Sequence, residues 1–279
     1  IVAQIGKGDT LNAVSIFKNC ANKGTVITPN DYCGGIIAQT TISAYFDTCY
    51  NYGDVTGSKS TGGISGYVTY YADYINCINY GKVTSKSDKA GGISGSVGSI
   101  KDYNHTYTYE NCGNEGIVQG RKFSGGIVAY LNGYSGKSAS IKYCYNAGTI
   151  ISDTDYVAGI LGQIDYASAP IIAYNYISGI LTPSSEAYSY ATAKICSDVS
   201  GDGSNHNNNY ITTNVATYLY FKNDLGDVSI PSDYEYLYNS YDLSSGKLAF
   251  TINTAAGKDI FYQTLNVDQY PTTHKAHHA

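Results

Sequence analysis

An all-β fold is what this sequence of 279 residues predicts: a β-solenoid (β-helix-like) of about five to six coils, with repeats of roughly 28–35 residues and a C-terminal capping region containing a short helix. Three observations predict it. A corner of the form C-x-N-x-G recurs five times, a Gly-Gly-Ile element follows each corner, and the residues between them alternate with a period of two.

The corners are Cys20-Ala21-Asn22-Lys23-Gly24, Cys49-Tyr50-Asn51-Tyr52-Gly53, Cys77-Ile78-Asn79-Tyr80-Gly81, Cys112-Gly113-Asn114-Glu115-Gly116 and Cys144-Tyr145-Asn146-Ala147-Gly148. Thirteen or 14 residues after each Cys comes Gly34-Gly35-Ile36, Gly62-Gly63-Ile64, Gly91-Gly92-Ile93, Gly125-Gly126-Ile127 or the variant Ala158-Gly159-Ile160. Successive Cys residues lie 29, 28, 35 and 32 positions apart, so the segment after Gly-Gly-Ile absorbs the length changes, and a protruding loop is expected between Gly98 and Tyr109. Ile171 to Leu181 reads as a degenerate sixth copy that lacks the Cys.

Runs such as Ile64-Ser-Gly-Tyr-Val-Thr-Tyr place β-branched or aromatic side chains at alternate positions, and glycine and asparagine recur too often for a stable helix. One such unit cannot bury its own apolar face, but units stacked at about 4.8 Å can. Stacking turns Cys20, Cys49, Cys77, Cys112 and Cys144 into a column of small core side chains. It turns Asn22, Asn51, Asn79, Asn114 and Asn146 into a ladder whose amides bond from coil to coil. The repeated glycines fit corners that need a positive φ or close backbone approach.

Residues 1–182 are therefore assigned to the repeats and 183–279 to a cap or small appended region, in which Asp242 to Phe250 reads as a short helix with Asp242 as its N-cap. A cap is expected because the last coil would otherwise expose unpaired backbone groups. The N-terminal end starts in repeat-like sequence with no cap, leaving an edge for an upstream domain or a neighbouring molecule to cover.

Composition narrows the function. Gly 31 and Tyr 31 each make up roughly a ninth of the chain, Met and Trp are absent, and the net charge is −5 with Arg121 the sole arginine. No basic surface can neutralise a run of phosphates, so nucleic acid is excluded as a partner. No run of 18 apolar residues occurs, which argues against a membrane span in this chain and for a soluble one. The start at Ile1 reads as a mature or trimmed product, and His274-Lys-Ala-His-His-Ala as a frayed or appended tail.

Gly63-Ile64-Ser65-Gly66, Gly92-Ile93-Ser94-Gly95 and Gly159-Ile160-Leu161-Gly162 resemble the GLUG motif, a tandem repeat of bacterial cell-surface and adhesin-like proteins; Ala38 and Ala129 replace the last Gly in two copies. Ser245 to Asn253 and Tyr262 to Pro271 are similar to the segment that closes such repeat regions. The resemblance implies an exported, surface-displayed, extracellular solenoid without catalytic residues of its own. Adhesion or a display stalk is then the expected role. A subunit that stacks into an extracellular filament through open solenoid edges is the first alternative, and a carbohydrate-binding module the second.

Zinc is disfavoured because ligands in one column do not converge and no C-x₂-C pair is present. Asp198, Ser200 and Asp202 match the start of a calcium loop, but Asn209 stands where a bidentate Glu belongs, so the segment is only a weak calcium candidate. Lyase and hydrolase chemistry lacks both arginine clusters and paired carboxylates, and His105 and His206 adjoin no nucleophile motif. No cofactor is implied. A host protein or glycan is the expected partner, with Tyr70, Tyr71, Tyr107 and Tyr109 as candidate contacts because tyrosine offers a flat face and a hydroxyl.

Overall fold

The computed structural model describes residues 2–6, 13–98, 106–132, 139–154, 156–165, 170–183, 192–193, 195, 205–212, 236–238 and 240–274. Each of the five C-x-N-x-G repeats contributes five short strands, and equivalent strands of successive repeats pair in parallel to build five sheets. In chain order the sheets begin with Val2–Ile5, Val14–Lys18, Ala21–Asn22, Val26–Ile27 and Tyr32–Gly34. They contain six, seven, eight, six and six strands. This is the solenoid that the repeat predicts. Pairing continues past residue 182: Thr192–Ala193, Asn205–Asn207, Tyr210–Thr212 and Tyr236–Tyr238 extend the fifth, second and third sheets.

Alternation sets what is buried. Within each corner the first and third positions point inward and the second outward, so Cys49 and Asn51 are buried while Tyr50 between them is half-exposed. The second sheet adds an inward aromatic column. Phe17, Phe46, Tyr74 and Tyr109 stack with ring centroids 4.8, 4.7 and 4.7 Å apart, the rise of one coil. Ile64, Ile93, Ile127 and Ile160 of the Gly-Gly-Ile elements fill the centre.

Backbone conformation separates two roles that the sequence had merged. The left-handed residue of each corner precedes the Cys, or the Asn175 or Asn209 that takes its place: Asn19, Thr48, Asn76, Asn111, Tyr143, Tyr174 and Asn208 have φ between 52° and 59°. Asparagine tolerates this region best among residues with a side chain, and it holds four of the seven positions. The corner glycines serve close approach instead, since a Cβ on Gly81 would lie 2.0 Å from the Gly53 carbonyl oxygen in the coil before it.

The C-terminal region contains two helices, α1 (Ser240–Ser244) and α2 (Lys247–Ala256). Asp242 is not an N-cap. It lies inside α1 and pairs with Lys247 at 2.9 Å, while α2 starts from left-handed Gly246 with no side-chain cap. The apolar side chains Leu243, Leu248 and Ile252 are buried as their spacing requires. Their destination is the flank of the solenoid. With Ile260 and Phe261 they cover the outward column Tyr145, Tyr176 and Tyr210 on the third sheet. Phe261 meets Tyr176 edge-on at 5.2 Å, and the Tyr176 hydroxyl donates to the Pro271 carbonyl. Thr273 Oγ1 then reaches the Asn111 carbonyl at 2.9 Å and the His274 ring meets Tyr50 at 5.5 Å, so the segment runs back along the side toward the second coil. Burying those rings removes apolar surface that the strand pairing leaves uncovered.

Candidate functional site

The cysteine column is core. Cys49, Cys77, Cys112 and Cys144 are fully buried, and each thiol shares its proton between the carbonyl two residues back and one in the preceding coil. Cys112, for example, lies 3.3 Å from the Tyr74 carbonyl oxygen and 3.5 Å from that of Glu110. Burial pushes the Cys77 and Cys112 thiols far above their ordinary range, and Cys33 up to about 11. A thiol that donates to carbonyls and resists ionisation is a poor nucleophile and a poor metal ligand. No disulfide joins the six described cysteines.

The asparagines form a continuous ladder. Nδ2 of Asn22, Asn51, Asn79 and Asn114 donates to Oδ1 of the next rung at 2.8, 2.7, 2.8 and 2.7 Å. Its second hydrogen goes to the corner glycine carbonyl two residues on, at 2.7–2.9 Å. Gly63, Gly92 and Gly126 press their backbones against these amides; a Cβ on Gly63 would lie 2.5 Å from Asn79 Oδ1. The Gly-Gly-Ile element and the C-x-N-x-G corner are thus two sides of one contact.

The tyrosines singled out in the sequence divide. Tyr70, Tyr107 and Tyr109 are buried and present no face to a ligand; strand alternation turns Tyr107 and Tyr109 inward, and Tyr70 is buried in the bend between two strands. Tyr107–Glu110 is a strand of the second sheet rather than the end of a protruding loop. Tyr107 donates to the Asn132 carbonyl at 2.8 Å, and Tyr109 pairs with the Ser94 hydroxyl at 2.5 Å. Tyr71 is half-buried against the same core. Asp198, Ser200 and Asp202 lie outside the described residues, as does Cys196. Among the described residues no three His, Cys, Asp or Glu side chains come together as a metal site.

On the repeats, an outward aromatic pair lies instead within the corner motif, at the position between Asn and Gly, while Tyr241 and Phe250 are exposed on the helical segment. Tyr52 is 46% exposed and stacks on half-buried Tyr80 at 4.9 Å with 2° between the ring planes. Tyr50 flanks Tyr52 at 6.2 Å. Lys23 and Glu115 hold the same position in the coils on either side, so the strip reads cation, two stacked rings, carboxylate. Glu115 accepts from the Tyr145 and Tyr270 hydroxyls at 2.7 and 2.8 Å, and burial together with that carboxylate pushes the Tyr80 hydroxyl upward in pKa. The stacked rings cover one another's faces, so the strip presents ring edges and hydroxyls between a charged group at each end, an array that can hydrogen-bond a polar, sugar-like ligand. The sequence carried a signal for it: a residue between two inward positions must point outward.

A second aromatic strip runs along the edge where the fifth and first sheets meet. Tyr32 stacks on Tyr67 at 4.9 Å, Phe123 on Tyr156 at 5.3 Å, and the Lys89 ammonium lies 4.7 Å from the Tyr130 ring centre. These rings are half-buried by one another and by the salt bridge of Lys89 with Asp88.

No described helix is long and apolar enough to cross a membrane. No family model matches the chain, and no curated protein does. Among solved structures it is similar to the crystal structure of a putative immunoglobulin A1 protease from Bacteroides ovatus, with a TM-score of 0.65 and 20% identity over 94% of this chain and 76% of that one. At that identity the likeness shows a shared solenoid fold.

Proposed function

We propose that this chain is a non-catalytic, GLUG-type solenoid of a bacterial surface protein, acting extracellularly in adhesion or as a display stalk. The observation that carries this reading is where the repeat spends its reactive side chains. Cysteine thiols donate to carbonyls inside the core, and the asparagine amides are consumed rung by rung, so the recurring chemistry builds a rod. The similarity in fold to a bacterial protein fits this reading. Incubating the purified chain with immunoglobulin A1 is expected to leave the antibody intact, and cleavage that tracks the pure protein would overturn the non-catalytic reading.

Carbohydrate binding is a second reading, favoured by the Tyr52–Tyr80 stack. A glycan array read with the native chain and with Tyr52→Ala plus Tyr80→Ala tests it, with a specific hit lost in the variant as the expected result. Filament assembly is a third, favoured by the apolar Ile27, 70% exposed on the edge strand Val26–Ile27 of the fourth sheet. Negative-stain images showing regular fibres would support it over discrete short rods.

A further inference from the structure

Parallel stacking sets tyrosine on tyrosine between successive coils, and the pairs differ in what can reach them. Tyr74–Tyr109 and Tyr145–Tyr176 are fully buried, and the hydroxyls of the first pair are bound to those of Ser65 and Ser94. Tyr143–Tyr174 is wider, at 5.4 Å with planes 26° apart, and the Lys258 ammonium lies 4.1 Å over the Tyr143 ring. Tyr32–Tyr67 is half-buried with planes 22° apart, and the Tyr67 hydroxyl donates to the Gly98 carbonyl at 3.3 Å. Of these pairs, Tyr52–Tyr80 is the one that joins parallel planes, 2° apart, to a ring that is 46% exposed.

The backbone fixes that geometry. Tyr52 N donates to the Asn22 carbonyl at 2.8 Å and Tyr80 N to the Asn51 carbonyl at 2.7 Å, so both residues continue the parallel ladder in which Asn51 pairs with Asn79. Paired parallel strands lie about 4.8 Å apart and carry equivalent side chains outward in step. The ring centroids are 4.9 Å apart, so one ring is the other moved up by a coil, and like carbons of the two rings are neighbours. The carbons ortho to the two hydroxyls therefore lie side by side along the outward edges, within reach of each other once the exposed ring turns about its side-chain bonds. Tyr50 is a poorer neighbour for Tyr52, at 6.2 Å with the rings tilted by 42°, and the His274 ring meets its edge.

We propose that Tyr52 and Tyr80 form an oxidative cross-linking site, which a haem peroxidase using hydrogen peroxide closes as dityrosine. The peroxidase takes one electron from each ring, and each phenolic proton leaves to solvent. The two phenoxyl radicals couple through their ortho carbons. The hydrogen on each joined carbon then moves to the phenolic oxygen as the rings regain aromaticity. The protein loses two hydrogen atoms in all, and one hydrogen peroxide becomes two waters. Exposed Tyr52 is the ring the oxidant meets first, with half-buried Tyr80 one coil away. The new bond staples the second coil to the third across a loop one repeat long and restricts the unfolded chain as a disulfide does, in a rod whose described cysteines are all free thiols.

The test treats dilute native protein with a haem peroxidase and hydrogen peroxide, recovers the monomer and maps it by trypsin digestion and mass spectrometry. The expected result is dityrosine fluorescence in a monomer lighter by two hydrogens, with residues 24–59 linked to residues 60–82. Tyr52→Phe keeps a stacked ring but not the phenol, and should abolish the link. Tyr67→Phe removes the phenol of the other stacked pair that spans the same two peptides, and should leave the link in place. A native monomer without the link, a link that survives Tyr52→Phe or is lost in Tyr67→Phe, or dityrosine confined to covalent dimers would overturn the proposal.

Discussion

Asn79→Ala tests whether the asparagine ladder holds the solenoid together. Asn79 is fully buried in the middle of the stack; its Oδ1 accepts from Asn51 at 2.7 Å, and its Nδ2 donates to Asn114 and to the Gly81 carbonyl, both at 2.8 Å. Truncation leaves three buried groups without these partners: one Asn51 N–H, the Asn114 Oδ1 and the Gly81 carbonyl. At about 1–3 kcal/mol for each unsatisfied group the loss is about 3–9 kcal/mol, a large part of the stability of an ordinary domain. Asn22→Ala is the internal control. It orphans only the Asn51 Oδ1 in the interior, because Gly24 is exposed and water replaces its lost bonds, so about 1–3 kcal/mol is expected. Urea unfolding followed by circular dichroism reads both. Costs equal within about 0.5 kcal/mol, or an Asn79→Ala cost below about 1 kcal/mol, would refute the count of orphaned groups.

Three further predictions follow from the same geometry. Gly81→Ala should cost about 2–3 kcal/mol or prevent folding because its Cβ would lie 2.0 Å from the Gly53 carbonyl, whereas Gly24→Ala should change the melting temperature little. Thr48→Asn should stabilise the protein by about 0.5–1 kcal/mol in urea unfolding, because a β-branched residue at φ 56° is replaced by the type that holds this corner at Asn19, Asn76 and Asn111. The Cys33 thiol rises from 9.0 unfolded to about 11 folded through burial, so its contribution is complete below pH 9 and is lost as pH climbs to 11. The loss amounts to about 2–3 kcal/mol. Cys33→Ala, which copies Ala90 at the equivalent position, should flatten the alkaline limb of a stability-against-pH curve by that amount.

Much of the fold was legible because inward positions recur at fixed spacing. Cys and Asn two residues apart share one face of a strand, and only a stack gives five such pairs a common interior. The placement of tyrosine was harder to read. Tyr107 and Tyr109 follow a long insertion, so their phase against Tyr74 depends on where the strand resumes, and register with Ala139 and Ile141 puts both inward. The outward pair Tyr52 and Tyr80 was hidden inside the motif itself. The docking of the helices was not legible, because an amphipathic helix states that it needs an apolar surface without saying which one. Asp242 shows the limit of local rules: it has the chemistry of an N-cap, but a glycine-initiated second helix claims the boundary and leaves it to pair with Lys247.

The loss of the motif after Cys144 is a relocation of its polar column. At the sixth rung Asn175 stands in the cysteine position and Ile177 in the asparagine position, and the seventh repeats the exchange with Asn209 and Ile211. Asn175 Oδ1 takes the Cys144 amide at 2.8 Å, and its Nδ2 bonds the Ile141 carbonyl and Asn209 Oδ1, both at 3.0 Å. Asn209 Nδ2 continues to the Ile172 carbonyl at 2.7 Å. Each coil thus keeps one buried amide and one smaller or apolar partner, with their places exchanged along the strand. The exchange costs Asn146 its ladder acceptor, since Ile177 follows it, but the carbonyl of Gly148 still holds that amide at 3.1 Å. The coils on either side of the exchange bear the outward tyrosines, Tyr145, Tyr176 and Tyr210, on which the helical segment docks. Burial from outside therefore reinforces the stack where the continuous ladder ends, which is a physical reason for seating the helical segment on this flank.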